Sequence, residues 1–139
     1  MRFLNVDVEI RDDADLTALR DALQTVDTSV APLYCGAEDE GRWLLSFEVY
    51  VEPASEPDAV AAACCAAIER LPAEARARWD GAEDRVFDFG YDAVAESRTG
   101  APMLSVGTLA RLADLGARVA VSVYAHDIVS RETTPEPPQ

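Results

Sequence analysis

The stretch Leu104–His126, LSVGTLARLADLGARVAVSVYAH, reads as a helix that turns on one glycine into the most apolar strand of the chain. Ser105 supplies a side-chain oxygen for the amides of a first helical turn, with Leu104 and Leu109 at the spacing of a hydrophobic staple around that cap. Leu109, Leu112 and Ala113 then face inward at helical spacing. Gly116 is the expected left-handed stop, because a residue without Cβ takes positive φ at little cost. Beyond it Val119, Val121, Val123 and Ala125 point to one side, and Ala120, Ser122, Tyr124 and His126 to the other, since side chains alternate along a strand.

The same alternation recurs upstream. Phe3–Ile10 places Leu4, Val6, Val8 and Ile10 on an inner face and Asn5, Asp7 and Glu9 on an outer one. In Arg42–Glu52, Trp43, Leu45, Phe47, Val49 and Val51 oppose Ser46, Glu48 and Tyr50, the composition of a central strand. Asp84–Ala93 sets Phe87, Phe89, Tyr91 and Ala93 against Val86, Asp88, Gly90 and Asp92. Val30–Cys35 reads as a short strand or a loop, followed by the turn-like run Glu38, Asp39, Glu40, Gly41.

Helical spacing fills the gaps. Leu16, Leu19, Leu23 and Val26 form one stripe, preceded by Asp12, Asp13 and Asp15, whose carboxylates suit the positive end of a helix dipole and match no calcium-loop pattern. Val60, Cys64, Ala67, Ile68 and Leu71 form a second, alanine-rich stripe with Ser55, Pro57 and Asp58 at its start. Ala73–Trp79 continues as a short helical piece anchored by Trp79, with Arg76 and Arg78 toward water. Val94–Met103, with Gly100 and Pro102 and no periodicity, is predicted as a surface loop. Strands with one polar face each imply an α+β two-layer sandwich: a mainly antiparallel sheet of four or five strands with helices on one face. Residues 1–130 are expected to form a single domain and 131–139, with the polar, proline-rich ETTPEPPQ, a disordered C-terminal tail.

Charge narrows the classes of function. The chain has 139 residues, 26 of them acidic and 12 basic, for a formal net charge of −14. Such a field repels nucleic acid and anionic membranes, and it either favours a basic protein partner or serves only to keep the protein soluble. Cys35, Cys64 and Cys65 make an odd number with no disulfide framework, the N-terminus lacks a signal-peptide core, and Ala59–Ile68 is far too short to span a membrane. A reduced, cytoplasmic protein is expected.

Catalytic machinery is not apparent. His126 is the only histidine, ruling out a three-histidine zinc site within one chain, and there is no CxxC pair or phosphate loop. Cys64 reads as core and Cys65 lies about 100° round the helix without an activating neighbour. Asp88 and Asp92 stand roughly 13 Å apart along a strand, too far for a glycosidase-type pair. A cross-strand pair such as Asp7 with Glu48 is close enough to raise one pKa. No catalytic residue, cofactor or metal ligand is therefore expected, and the chain is read as a non-enzyme. The candidate partner-binding surface is the outer sheet face, with Asp7, Glu9, Glu48, Tyr50, Asp88, Asp92, Tyr124 and His126, joined by the Glu38, Asp39, Glu40 loop. Exposed tyrosines among carboxylates suit a Lys- or Arg-rich surface.

The segments RVFDFGYDA and LSVGTLARLADLGARVAVSVYAHD resemble the C-terminal half of the bacterial domain-of-unknown-function family numbered 4279. The shared pattern is a strand, a loop, an LS-x-x-x-L-x-x-L-x-x-LG helix and a V-x-V-x-VY strand, carried by Leu104, Ser105, Leu109, Leu112, Leu115, Gly116 and Tyr124. It covers about a third of the chain and brings no catalytic residues. The resemblance implies a small bacterial protein, in some relatives an immunity protein encoded beside a toxin. The function expected is thus a cytoplasmic acidic binding domain, most concretely an immunity protein that neutralises a basic toxin. The alternatives are a small-molecule-sensing regulatory domain, with a pocket between helices and sheet near Val94–Met103, and a carboxylate-dependent hydrolase or lyase. Either a monomer or a homodimer fits, the latter by pairing of Arg118–Ala125 across a two-fold axis.

Overall fold

The computed structural model describes residues 1–52, 56–93 and 103–125, and in it the first strand, β1 (Arg2–Asp12), lies at the centre of the sheet. After it come α1 (Thr17–Val26), β2 (Val30–Ala37), β3 (Trp43–Val49), α2 (Pro57–Glu69), α3 (Ala73–Asp80), β4 (Asp84–Asp92), α4 (Val106–Asp114) and β5 (Arg118–Tyr124). A 3-10 turn at Asp39–Gly41 joins β2 to β3, with Glu40 and Gly41 both at positive φ. The spatial order is β2-β3-β1-β4-β5. Three neighbouring pairs run antiparallel, whereas β4 and β5, connected through α4, run parallel, as a helical crossover permits. The fold is α+β, and Val30–Cys35 belongs to an edge strand.

Alternation makes the core. Val6, Val8 and Ile10 of β1, Leu45 and Phe47 of β3 and Phe87 of β4 are fully buried in one cluster with Leu19 and Leu23 of α1, Cys64 and Ile68 of α2, Trp79 of α3 and Leu112 of α4. The four helices therefore share one face of the sheet. α2 packs on β1 and β3, and its alanines allow the close approach. Trp79, with no exposed surface, donates its indole N–H to the Leu115 carbonyl at 3.0 Å and pins α3 to the turn before β5. That turn is closed by Gly116 at φ 68°.

Four expectations are corrected. The register of β1 against β4 slips between Phe3 and Asn5, so Phe3 turns inward against Tyr91, ring centroids 5.7 Å apart, and Leu4 is left exposed. A bulge turns the face, and here it buries an aromatic pair in place of one leucine. Ser105 does cap α4, accepting the Thr108 amide at 3.1 Å, but the inward residues are Thr108, Leu112 and Leu115, while Leu109 and Ala113 are exposed. α4 lies against α2, where Arg111 also binds Glu69 through two bonds of 3.0 and 2.7 Å, and in that orientation Leu112 and Leu115 reach the core.

At the start of α2, Glu56 occupies the cap position without a side-chain bond, and Asp58 serves another helix, accepting the Ser105 amide at 2.8 Å. That bond holds the Asp58 carboxyl below its usual range. Finally, Val119, Val121 and Val123 point to the helix side yet remain about half exposed, because β5 is the edge of the sheet and the helices gather over its centre. Elsewhere the pattern holds: Asp15 accepts the Thr17 amide at 2.7 Å at the start of α1. Ser55, the stretch 94–102, His126 and the tail 131–139 lie outside the described residues.

Candidate functional site

On the helix-free face the sheet order sets three carboxylates side by side. Asp7 is the direct cross-strand partner of Asp88 on β4. On its other flank the β1–β3 register, continued one step beyond Val8 and Phe47, places Glu48 opposite Asp7. Directly opposed like charges on neighbouring strands destabilise a sheet. Asp7 shows it: burial first, then the charges of Glu48, Asp88 and Glu9, push its carboxyl from 3.8 to about 6.

Neutral groups hold the cluster together. The Asn5 side-chain amide donates to Asp7 at 2.8 Å and to Glu48 at 3.3 Å. Its room comes from Gly90, the residue opposite it, where a Cβ would stand 2.7 Å from Asn5 Oδ1 and 3.4 Å from the Tyr124 ring. Ser122 of β5 donates to both Asp88 oxygens, at 2.9 and 3.0 Å. All twelve basic residues are arginines, and among the described residues none pairs with Asp7, Glu48 or Asp88. Nine of the ten arginines among the described residues bridge other carboxylates, such as Arg118 on Asp84 at 2.8 Å and Arg42 on Glu83 at 2.8 Å, and Arg85 donates to the backbone carbonyls of Asp80 and Leu115.

The remaining predicted residues divide. Tyr50 and Tyr124 are exposed at the open end of the face, and the Tyr50 hydroxyl donates to Glu52, which raises its pKa. Glu9 and Glu38 are less free than their composition suggests: Arg11 lies between them, 3.6 Å from Glu9 and 3.1 Å from Glu38. Asp39 and Glu40 are exposed in the turn. Asp92 is a correction. It is only 2% exposed and bound by Arg2 at 3.0 Å, because the β1 bulge brings Arg2 opposite it, so it presents no charge to a partner. His126 lies outside the described residues.

Two contributors went unread in the sequence. Arg11 follows Glu9 by two positions and continues the same outer row. Tyr34 joins the face because β2 slips register between Pro32 and Tyr34, a shift no alternation pattern reveals. Together with Leu44 and Glu38 they line an open depression of about 590 Å³ at one end of the face. Here Arg11 and Arg42 sit with Glu38 and Asp39, a contrast to the wholly acidic cluster beside it.

Other chemistry finds less support in the geometry. Among the described residues no group of three or more His, Cys, Asp or Glu is placed to hold a metal ion. Cys64 and Cys65 are both fully buried, and burial pushes both thiols up, Cys65 to about 11. Between helices and sheet beside Met103, Phe89, Tyr91, Leu104 and Val121 border a hollow of about 100 Å³, below the ~300 Å³ at which small-molecule sites begin, while a larger open depression of about 520 Å³ lies between α1 and α3 against Leu19, Ala22, Pro72 and Ala75. Among the described residues no helix is long and apolar enough to cross a membrane. No family model, curated protein or solved structure matches the chain.

Proposed function

We propose that this protein binds a basic protein partner through the helix-free face of its sheet, acting in the cytoplasm as an inhibitor of the immunity type that covers a cationic toxin. The observation that carries this reading is the Asp7–Glu48–Asp88 cluster. Three carboxylates are set together without a cation while the arginines of the described chain pair elsewhere. A Lys or Arg side chain from a partner relieves that repulsion, so the energy stored in the free protein returns on binding. Tyr124 and Tyr50 add contact area at the open end of the same face, and the overall charge of −14 speeds encounter.

The test is capture from a lysate of the native host with the full chain as bait, washed at low and high salt. A basic protein retained at low salt and lost from the triple variant Asp7→Asn, Glu48→Gln, Asp88→Asn is the expected result. Equal retention by the variant rejects this face. A second reading has one specific observation in its favour: a carboxyl with a pKa of about 6 is suited to general-acid work near neutrality. A hydrolase or lyase activity abolished by Asp7→Asn alone, with binding partners absent, selects that reading instead.

A further inference from the structure

The two edges of the sheet are built differently. β2 is blunted against pairing by Pro32, which has no amide hydrogen, and by the register slip that follows it. β5 has no such device: it is free of proline and lysine, and its register with β4 is unbroken over all seven residues, Arg118 to Tyr124. Among the described residues nothing pairs with its outer edge. On its helix side Val119, Val121 and Val123 are 49, 60 and 50% exposed, and Met103, which borders the same hollow as Val119 and Val121, is more open still. These four side chains offer on the order of 300 Å² of apolar surface, the size of the largest patch on a typical monomer and a good part of the roughly 800 Å² each partner buries in a standard interface.

We propose that β5 pairs antiparallel with β5 of a second copy of this chain, joining two five-stranded sheets into one of ten strands about a two-fold axis at Val121. Two features select a second copy over another occupant. The first is charge. Residues 104–125 contain two arginines and one aspartate in a chain of net charge −14, so this edge is where two copies meet with least repulsion. A cationic partner is drawn to the opposite face. The second is self-complementarity. Centring the pair on Val121 sets Val121 against its own equivalent and Val119 against Val123 of the second copy on the helix side. On the open side it sets Ala120 against Ser122, and Arg118, held on Asp84, against a tyrosine, Tyr124, whose ring can accept a cation. An axis normal to the sheet leaves both acidic faces uncovered and on the same side, so this contact stands independently of the partner-binding reading.

The experiment is sedimentation equilibrium on the full chain, with Val121→Lys as the disrupting variant and circular dichroism as the folding control. The expected result is a species of twice the 15.0 kDa chain mass for the natural sequence and at least a tenfold weaker association for Val121→Lys. A monomer at every concentration, or a dimer that survives Val121→Lys, overturns the proposal. Should that variant misfold, Val121→Cys decides. Its oxidation must give a covalent dimer across the axis well above the level from Leu33→Cys on the β2 edge, and equal yields from the two overturn it.

Discussion

Replacing Asp7 by Asn should stabilise this protein near neutral pH, an unusual outcome for a substitution at the centre of a sheet. Asp7 carries a carboxyl raised from 3.8 to about 6, facing Glu9 on its own strand, Glu48 on β3 and Asp88 on β4. A shift of about two pH units corresponds to about 3 kcal/mol at 1.36 kcal/mol per unit, and screening by water at a half-buried site brings this to about 1–2 kcal/mol. The sign follows from linkage. The folded state holds the proton more tightly than the unfolded chain, so this contribution is fully present below about pH 4, is lost as pH rises through 6, and is flat above. Asparagine mimics the protonated acid, and its side-chain carbonyl still accepts from Asn5. Urea unfolding followed by tryptophan fluorescence from pH 3.5 to 8 should show a gain of about 1–2 kcal/mol at pH 7.5, about 3–8 °C in Tm, vanishing at pH 3.5. No gain at pH 7.5, or a gain that persists at pH 3.5, refutes the reasoning, because the first denies the repulsion and the second assigns the effect to packing.

Three further outcomes follow from individual contacts. Gly116→Ala forces a Cβ onto φ 68° and to 3.0 Å from Arg85, so it should cost about 1–2 kcal/mol in a urea melt, and an unchanged midpoint would contradict the left-handed turn. Trp79→Phe puts a smaller phenyl in place of the buried indole and removes the bond to the Leu115 carbonyl, and should lower stability by about 1–3 kcal/mol by the same measurement. Cys64 and Cys65 are fully buried and Cys35 is partly open; a thiol-reactive dye should therefore label one cysteine in the native protein and three in denaturant, and rapid native labelling of two or more would contradict the burial of α2.

Much of this architecture was legible because period-two alternation is a direct record of burial on a one-sided sheet. Val6, Val8 and Ile10, Leu45 and Phe47, and Phe87 all face the helices as their spacing requires. Where the reading failed, the cause was non-local. Leu4 sits beside a register slip, as does Tyr34, to which the sequence pattern assigns no face, and one extra residue reverses a face without leaving a mark in the hydrophobic pattern. Leu109 points away from the core because α4 packs against α2, a helix distant in sequence, with Leu112 and Leu115 inward. The valines of β5 look like core because their pattern records which side they face, not whether anything covers it. For the site, Asp7, Glu48 and Asp88 could each be placed on the outer face from sequence. Their adjacency depended on strand order, and the burial of Asp92 depended on the bulge that delivers Arg2.

The placement of the cluster bears on whether it serves binding or merely solvation. A solvated face gains nothing from lodging a carboxylate on the central strand, where burial and two flanking acids act on it together. A rim position would supply the same solubility without the penalty. Arginines reach carboxylates on several other elements, often through forked bonds such as those of Arg111 and Arg118, so a neutralising cation was within the means of this sequence. At Gly90, opposite Asn5 and beside Asp88, there is no side chain at all, and Asn5 spans Asp7 and Glu48 in the space left. Sites that keep such destabilising arrangements tend to recover the energy in an interaction made outside the chain. That expectation couples the two tests: if Asp7→Asn raises stability at pH 7.5, the same substitution should weaken capture of a basic partner, and a variant that gains stability with capture intact would break the link between the repulsion and the binding face.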